Sequence, residues 1–146
     1  MTKNATIARM LALLAMLALI AAAYAADRIY DQMRREASQT FIVLPVLWTR
    51  NGLGLLIVLL AMLLALWVIA GSARNPLVHW VFLIVGLLLS FYAPLLMSGG
   101  IFGFMVPSFL NTPLLWNDNV WLVARILAIT GLLGLLLKPP KPAGTN

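Results

Sequence analysis

The sequence predicts an all-α fold, a polytopic transmembrane helical bundle of four spans, or three if the N-terminal segment is a cleaved signal peptide. Three observations lead there. Of 146 residues, 63% are hydrophobic and only 10% charged, with a mean hydropathy of +1.01. A water-soluble domain needs about 25% charged residues to cover its surface, so most of this surface must meet lipid or protein. Four runs, 7–26, 53–71, 77–97 and 119–137, are apolar around the whole helix circumference. Each reaches about 30 Å at 1.5 Å per residue, the thickness of a bilayer core. Finally, Trp48, Trp67, Trp80, Trp116 and Trp121 lie near the ends of these runs, where amphipathic rings settle at the headgroup level.

The first run, 7–26, has two readings. Lys3 and Arg9 precede an apolar stretch that ends in Ala23-Tyr24-Ala25, the pattern of a signal peptidase site. The same run carries Ala8, Ala12, Ala15, Ala18, Ala22 and Ala26 at spacings of three and four. That stripe would let another helix approach closely. A retained helix is the preferred reading, and Ala15, Ala18 and Ala22 are then partner contacts. Both readings put residues 27–52 on the same, outer side of the membrane.

That external segment opens with "DRIYDQMRREASQT", which suits a short amphipathic helix, and continues with "FIVLPVLWTR", too short to cross and expected at the interface. The second run ends at Gly71-Ser72, and Asn75-Pro76 supplies an N-cap and first residue for the third. Pro94 interrupts the backbone bonding of that third run, with Ser90 and Tyr92 before it. The external segment 98–118 is apolar but broken by glycines and prolines, so a re-entrant or interfacial course is expected, with Gly99 and Gly103 as a packing pair. Asn117, Asp118 and Asn119 are cap candidates for the fourth run, on which Gly131 and Gly134 share a side. Residues 1–138 form one bundle, and 139–146 a polar, mobile tail.

Charge orients the chain. Lys3, Arg9, Arg74, Lys138 and Lys141 fall on one side, and Arg28, Arg34, Arg35 and Arg50 on the other. The segment 98–118 has no Lys or Arg, as expected of an outer loop, so both termini are placed in the cytoplasm of a bacterial cell. The net charge of +6 comes from scattered edge residues, which argues against a nucleic-acid partner.

Little in the chain suggests chemistry. It has no cysteine, which excludes disulfides and thiolate metal sites. His79, the sole histidine, is a weak cofactor-ligand candidate; beside Trp80, an interfacial anchor is the simpler expectation. Asp27, Asp31 and Glu36 are acid–base candidates by position alone, and equally a solvated helix face. Arg125 lies about six residues inside the fourth run, where a charge costs at least about 2.5–3.5 kcal/mol at mid-bilayer. Snorkelling to the outer headgroups is expected, with Asp118 on the same face about 10 Å away. No cofactor is predicted, although an apolar Gly-rich segment admits a lipid, quinone or pigment. The leading expectation is a non-catalytic subunit of a larger membrane complex, with lipid and other subunits as partners. A small homo-oligomeric transporter or channel and a lipid-interacting enzyme are the alternatives.

Overall fold

Four α-helices make up the fold: α1 (Lys3–Thr40), α2 (Leu44–Ala70), α3 (Pro76–Ile101) and α4 (Asp118–Leu136). The computed structural model describes residues 3–40, 44–70, 75–101 and 118–137, with the backbone alone at residue 3 and over 92–101. No strand occurs among the described residues. The helices alternate in direction. Arg50 in the first half of α2 meets Tyr30 late in α1, while Leu64 further along α2 lines a groove together with Ala15. Asp27 meets Asn119 at the start of α4, and His79 at the start of α3 meets Gly134 at the end of α4.

Three helices are long and apolar enough to cross a membrane: Asn4–Thr40, Leu44–Ala70 and Asp118–Leu136. In α3 the apolar stretch Pro76–Phe91 is described in full, and the backbone stays helical for 26 residues, about 39 Å. The all-α bundle and its membrane character therefore stand as expected. Leucines such as Leu14, Leu17, Leu56, Leu63 and Leu66 point away from the core and are more than half exposed, as a lipid-facing surface requires.

Periodicity explains the packing. Buried positions on α1 are Ala8, Ala12, Met16, Leu19, Ala23 and Ala26, and on α2 Ile57, Ala61, Leu64 and Val68. Steps of three and four repeat every seven residues, the stripe that packs helices at shallow angles. On α4 the buried set is wider: Val120, Val123, Ala124, Leu127, Thr130, Gly131 and Gly134. Pairs of adjacent buried positions appear because α4 is central, touched by α1, α2 and α3 on different sides.

Two boundaries differ from the sequence expectation. α1 does not end at residue 26; it continues as one helix to Thr40, projecting roughly 20 Å beyond Asp27. Its polar extension is held by local bonds, Gln32 Nε2 to Glu36 Oε1 (3.3 Å) and Thr40 Oγ1 to the Glu36 carbonyl (3.1 Å). The "LPVLWTR" stretch is likewise the first two turns of α2 rather than a separate interfacial piece. Pro45 sits in the first turn, where its missing N–H has no helical acceptor to lose. As expected, Asn75 caps α3, its Oδ1 accepting from Leu77 N at 2.8 Å. The α3 backbone runs helically through Pro94. Gly71, Ser72, Arg74, Gly103, Trp116, Lys138, Lys141 and the tail 139–146 lie outside the described residues.

Candidate functional site

The polar side chains gather where α1, α2 and α4 meet at the start of α4. Asp27 is the first charged residue beyond the α1 apolar run and is buried, only 7% exposed. Its carboxylate accepts from Asn119 Nδ2 at 2.7 Å, from Asn119 N at 3.2 Å and from Val120 N at 3.4 Å. A helix N-terminus leaves its first backbone N–H groups without intrahelical partners. Here a side chain 92 positions away supplies the acceptor, and its negative charge faces the positive end of the α4 dipole. Burial pushes the Asp27 carboxyl above its ordinary value of 3.8, the bonds from Asn119 and Val120 pull it back, and nearby Asp118 pushes it up again.

Asp118 has a different partner from the one its spacing suggested. Its Oδ2 accepts from Arg50 Nη2 at 2.9 Å, an exposed ion pair between α4 and α2. Arg50 also lies over the Tyr30 ring, 5.0 Å from its centroid, so one guanidinium ties three helices. Arg125 is exposed and turns to Trp121, one turn back, with 5.9 Å from guanidinium to ring centroid. Its neighbour on the helix surface is thus an aromatic ring rather than Asp118. Between Asp27, Tyr30, Arg50, Asn51, Asp118 and Asn119 lies an open cavity of about 380 Å³.

Further along α4 the contacts are close and made with α3. A Cβ added to Gly131 would lie 2.6 Å from the His79 carbonyl oxygen and 2.8 Å from Leu83 Cα. At Gly86 it would lie 2.6 Å from the Ala124 carbonyl oxygen and 2.8 Å from Ala128 Cα. Both distances are below real carbon contacts, so α3 and α4 touch through their backbones. Gly131 and Gly134 thus act in packing, as their spacing indicates, and Gly86 completes the seam from α3. His79 is 1% exposed, and its ring rests on Gly134. It is therefore an interior residue, whereas neighbouring Trp80 points outward at 53% exposure. The headgroup-anchor reading does not suit the enclosed His79, because the α3 stripe of Val78, His79 and Phe82 faces α4.

The proposed partner-contact alanines lie at the bundle surface. Ala18 and Ala22 are exposed and Ala15 is partly so; with Leu19, Leu60 and Leu64 they line an apolar groove of about 310 Å³ between α1 and α2. Ala8, Ala12 and Ala26 from the same stripe are buried inside the chain. Gly99 falls in the last turn of α3. Asp31 and Glu36 stand on the projecting part of α1, away from Asp27 in role: Glu36 bonds within its own helix. Among the described residues no group of three His, Cys, Asp or Glu side chains is arranged to hold a metal ion. Comparison of the chain with protein families, with curated proteins and with solved structures finds no match.

Sequence reasoning missed Asp27 as a structural acceptor and Arg50 as its neighbour's partner. One signal was available for Asp27. It follows Leu19, Ala23 and Ala26 at helical spacing, so it continues the buried face rather than the solvated one.

Proposed function

We propose that the chain is a non-catalytic integral membrane subunit that packs in a larger complex of the bacterial cytoplasmic membrane. The groove lined by Ala15, Ala18, Ala22, Leu60 and Leu64 carries this reading. Small side chains there leave a furrow along a surface already apolar enough for lipid, and another transmembrane helix fills such a furrow better than disordered acyl chains do. The partners are other membrane subunits and lipid; nucleic acid is not among them. Both termini lie in the cytoplasm, and the first helix is retained. Burial of Ala12 and Ala23 in the core supports retention, since cleavage after Ala25 would remove most of the α1 contribution to it.

A homo-oligomeric transporter would draw on Arg125, with Ser90, Tyr92 and Thr130, of which the Tyr92 side chain lies outside the described residues. Thr130 Oγ1 donates to the Ile126 carbonyl at 2.6 Å within its own helix, and Arg125 is on the exposed face of α4 while Thr130 is on the buried one. Arg125 and Thr130 do not share a face of α4, which supports the subunit reading over a shared polar path.

The test is gentle detergent extraction from native membranes with identification of co-purifying chains. Replacing Ala15, Ala18 and Ala22 together by Leu keeps hydrophobicity and fills the groove. Loss of the partner set with the bundle still folded is the expected result; an unchanged complex refutes the groove as the contact. A cysteine at position 38 should label only from outside, and intact mass should include residues 1–25.

A further inference from the structure

The cavity at the start of α4 changes character along the helices. At its polar end stand Arg50, Tyr30, Asn51 and Asp118; further along α2 and α4 its lining includes the exposed Leu55 and Leu122. Leu55 lies five residues along α2 from Arg50, and Leu122 four along α4 from Asp118, so the apolar lining is about 6–8 Å further along. The volume of about 380 Å³ falls within the range of about 300–1,000 Å³ typical of small-molecule sites. A polar end followed by an apolar lining, at the edge of a membrane-crossing bundle, matches the polarity gradient of a phospholipid.

Charge selects among headgroups. The backbone donors of Asn119 and Val120 at the α4 start are already turned to the Asp27 carboxylate, which disfavours a bare anion there. What remains is one cation and one carboxylate at the polar end. Arg50 and Asp118 are paired at 2.9 Å, yet their side chains are 49% and 76% exposed, so each keeps further donors or lone pairs open. A ligand with only a negative charge would meet Arg50 but be repelled by Asp118. A ligand with only a positive charge would meet the reverse. A zwitterion satisfies both: its phosphate accepts from Arg50, and its ammonium donates to Asp118. A primary ammonium has N–H groups to donate, whereas a trimethylated one has none.

The geometry points to a phospholipid site in this cavity, taking a headgroup with one phosphate and one primary ammonium, as in phosphatidylethanolamine, with its acyl chains against Leu55 and Leu122. The site does not depend on the subunit reading, which concerns the groove lined by Ala15, Ala18, Ala22, Leu60 and Leu64, a different set of residues.

The experiment is native mass spectrometry of the full chain with equimolar phosphatidylethanolamine, phosphatidylcholine and phosphatidylglycerol of identical acyl chains. The ethanolamine lipid should be retained about tenfold over the other two, the ratio that one charge-assisted hydrogen bond supplies. Asp118→Asn should abolish preference over the choline lipid. Arg50→Gln should weaken retention of all three, and Arg50→Lys, which keeps the charge, should restore it. Both side chains are exposed, and unchanged helicity confirms that each variant is folded. Water-soluble glycerophosphoethanolamine at the same concentration should not displace the lipid. Equal retention of the three lipids, or variants with the wild-type pattern, overturns the site. Displacement by the soluble compound overturns its assignment to a lipid.

Discussion

Along the α3–α4 seam, backbone lies against backbone with glycine at each crossing point, and the one polar ring, His79, is enclosed. At the other end of α4, three helices are tied by side chains reaching across a cavity: Asp27 to the α4 backbone, Arg50 to Asp118 and Tyr30. Both contacts use the same central helix, yet they depend on different quantities. The seam depends on volume, because nothing can move aside without separating two helices. The junction depends on polarity, because its groups are spaced widely enough to tolerate size but are left without partners if the carboxylate is lost. In a bilayer, where apolar surface gains nothing by meeting other apolar surface, these are the two available ways to hold a helix pair: close packing and buried hydrogen bonds.

The largest effect should follow from adding volume to the seam. Gly131→Val places carbon where the His79 carbonyl and Leu83 backbone lie, and no rotamer can relieve it. Overpacking of this kind costs about 3 kcal/mol or more, against at most about 1 kcal/mol regained in helix propensity. Reversible unfolding in mixed micelles should show the loss. Gly134→Ala sharpens the argument, because there the obstacle is the His79 ring rather than backbone. In a double-mutant cycle, His79→Ala should remove most of the penalty of Gly134→Ala. Additive effects would mean that the ring and Gly134 are not in contact.

Next in size is the junction. Asp27→Ala leaves the donors of Asn119 and Val120 without their acceptor, a loss of about 2 kcal/mol. Asp27→Asn, which keeps one acceptor oxygen, should cost about half of that. The pH response separates charge from shape. Burial raises the Asp27 carboxyl above 3.8, so the folded bundle holds its proton more tightly than the unfolded chain does. The stability this provides is complete below 3.8 and declines as pH rises from there through the raised value. The unfolding midpoint should therefore fall as pH climbs through that window, and Asp27→Asn should remove this part of the slope. A midpoint that instead rises by the same route would place the dominant titration elsewhere.

These residues also show what a sequence can reveal about such a bundle. Spans are legible because lipid imposes composition residue by residue. The Asn75 cap is legible because donor and acceptor are two residues apart. Gly131 and Gly134 announce close packing, since glycine inside a helix needs a reason. Asp27 was hidden because its donors lie 92 and 93 positions away, and a carboxylate beside Arg28 and Asp31 looks like the start of a solvated face. Asp118 was hidden similarly: a partner one helical face away on its own helix is visible in sequence, while Arg50, 68 positions distant, is not. His79 resembled an anchor because rotation about the α3 axis, which decides between His79 and Trp80, is set by contacts with α4.

A third glycine substitution reverses the sign found at the seam. Gly52 stands in the first half of α2, and a Cβ added there meets nothing within 4 Å. The close approach that justifies Gly131 is absent, and only the entropic cost of glycine in a helix remains. Gly52→Ala should raise stability by about 0.5–1 kcal/mol. A loss at this position, read by the same unfolding assay, would mean that a partner outside the chain approaches the α2 backbone there.

The smallest effect is expected at Arg125, which belongs to neither contact. It lies on the exposed face of α4, and its guanidinium rests 5.9 Å from the Trp121 ring centroid. Trp121 is one turn nearer the start of α4, the direction in which helical side chains lean, so Arg125 points toward the start of its helix. An exposed cation–π contact is worth about 0.5–1 kcal/mol, and lysine keeps both the charge and a stem long enough to reach the same depth. Arg125→Lys should therefore change stability by less than about 0.5 kcal/mol and leave membrane level unaltered. Arg125→Leu removes the cost of carrying a charge into the membrane, so its membrane level should equal or exceed that of the native chain. The two variants together discriminate. If Lys lowers the level or the yield of complex while Leu does not, reach toward the headgroups fails as the explanation. A confined pocket that accepts a flat or apolar group but excludes an ammonium would then surround position 125, and the exposed face of α4 would join the groove of α1 and α2 as a contact surface.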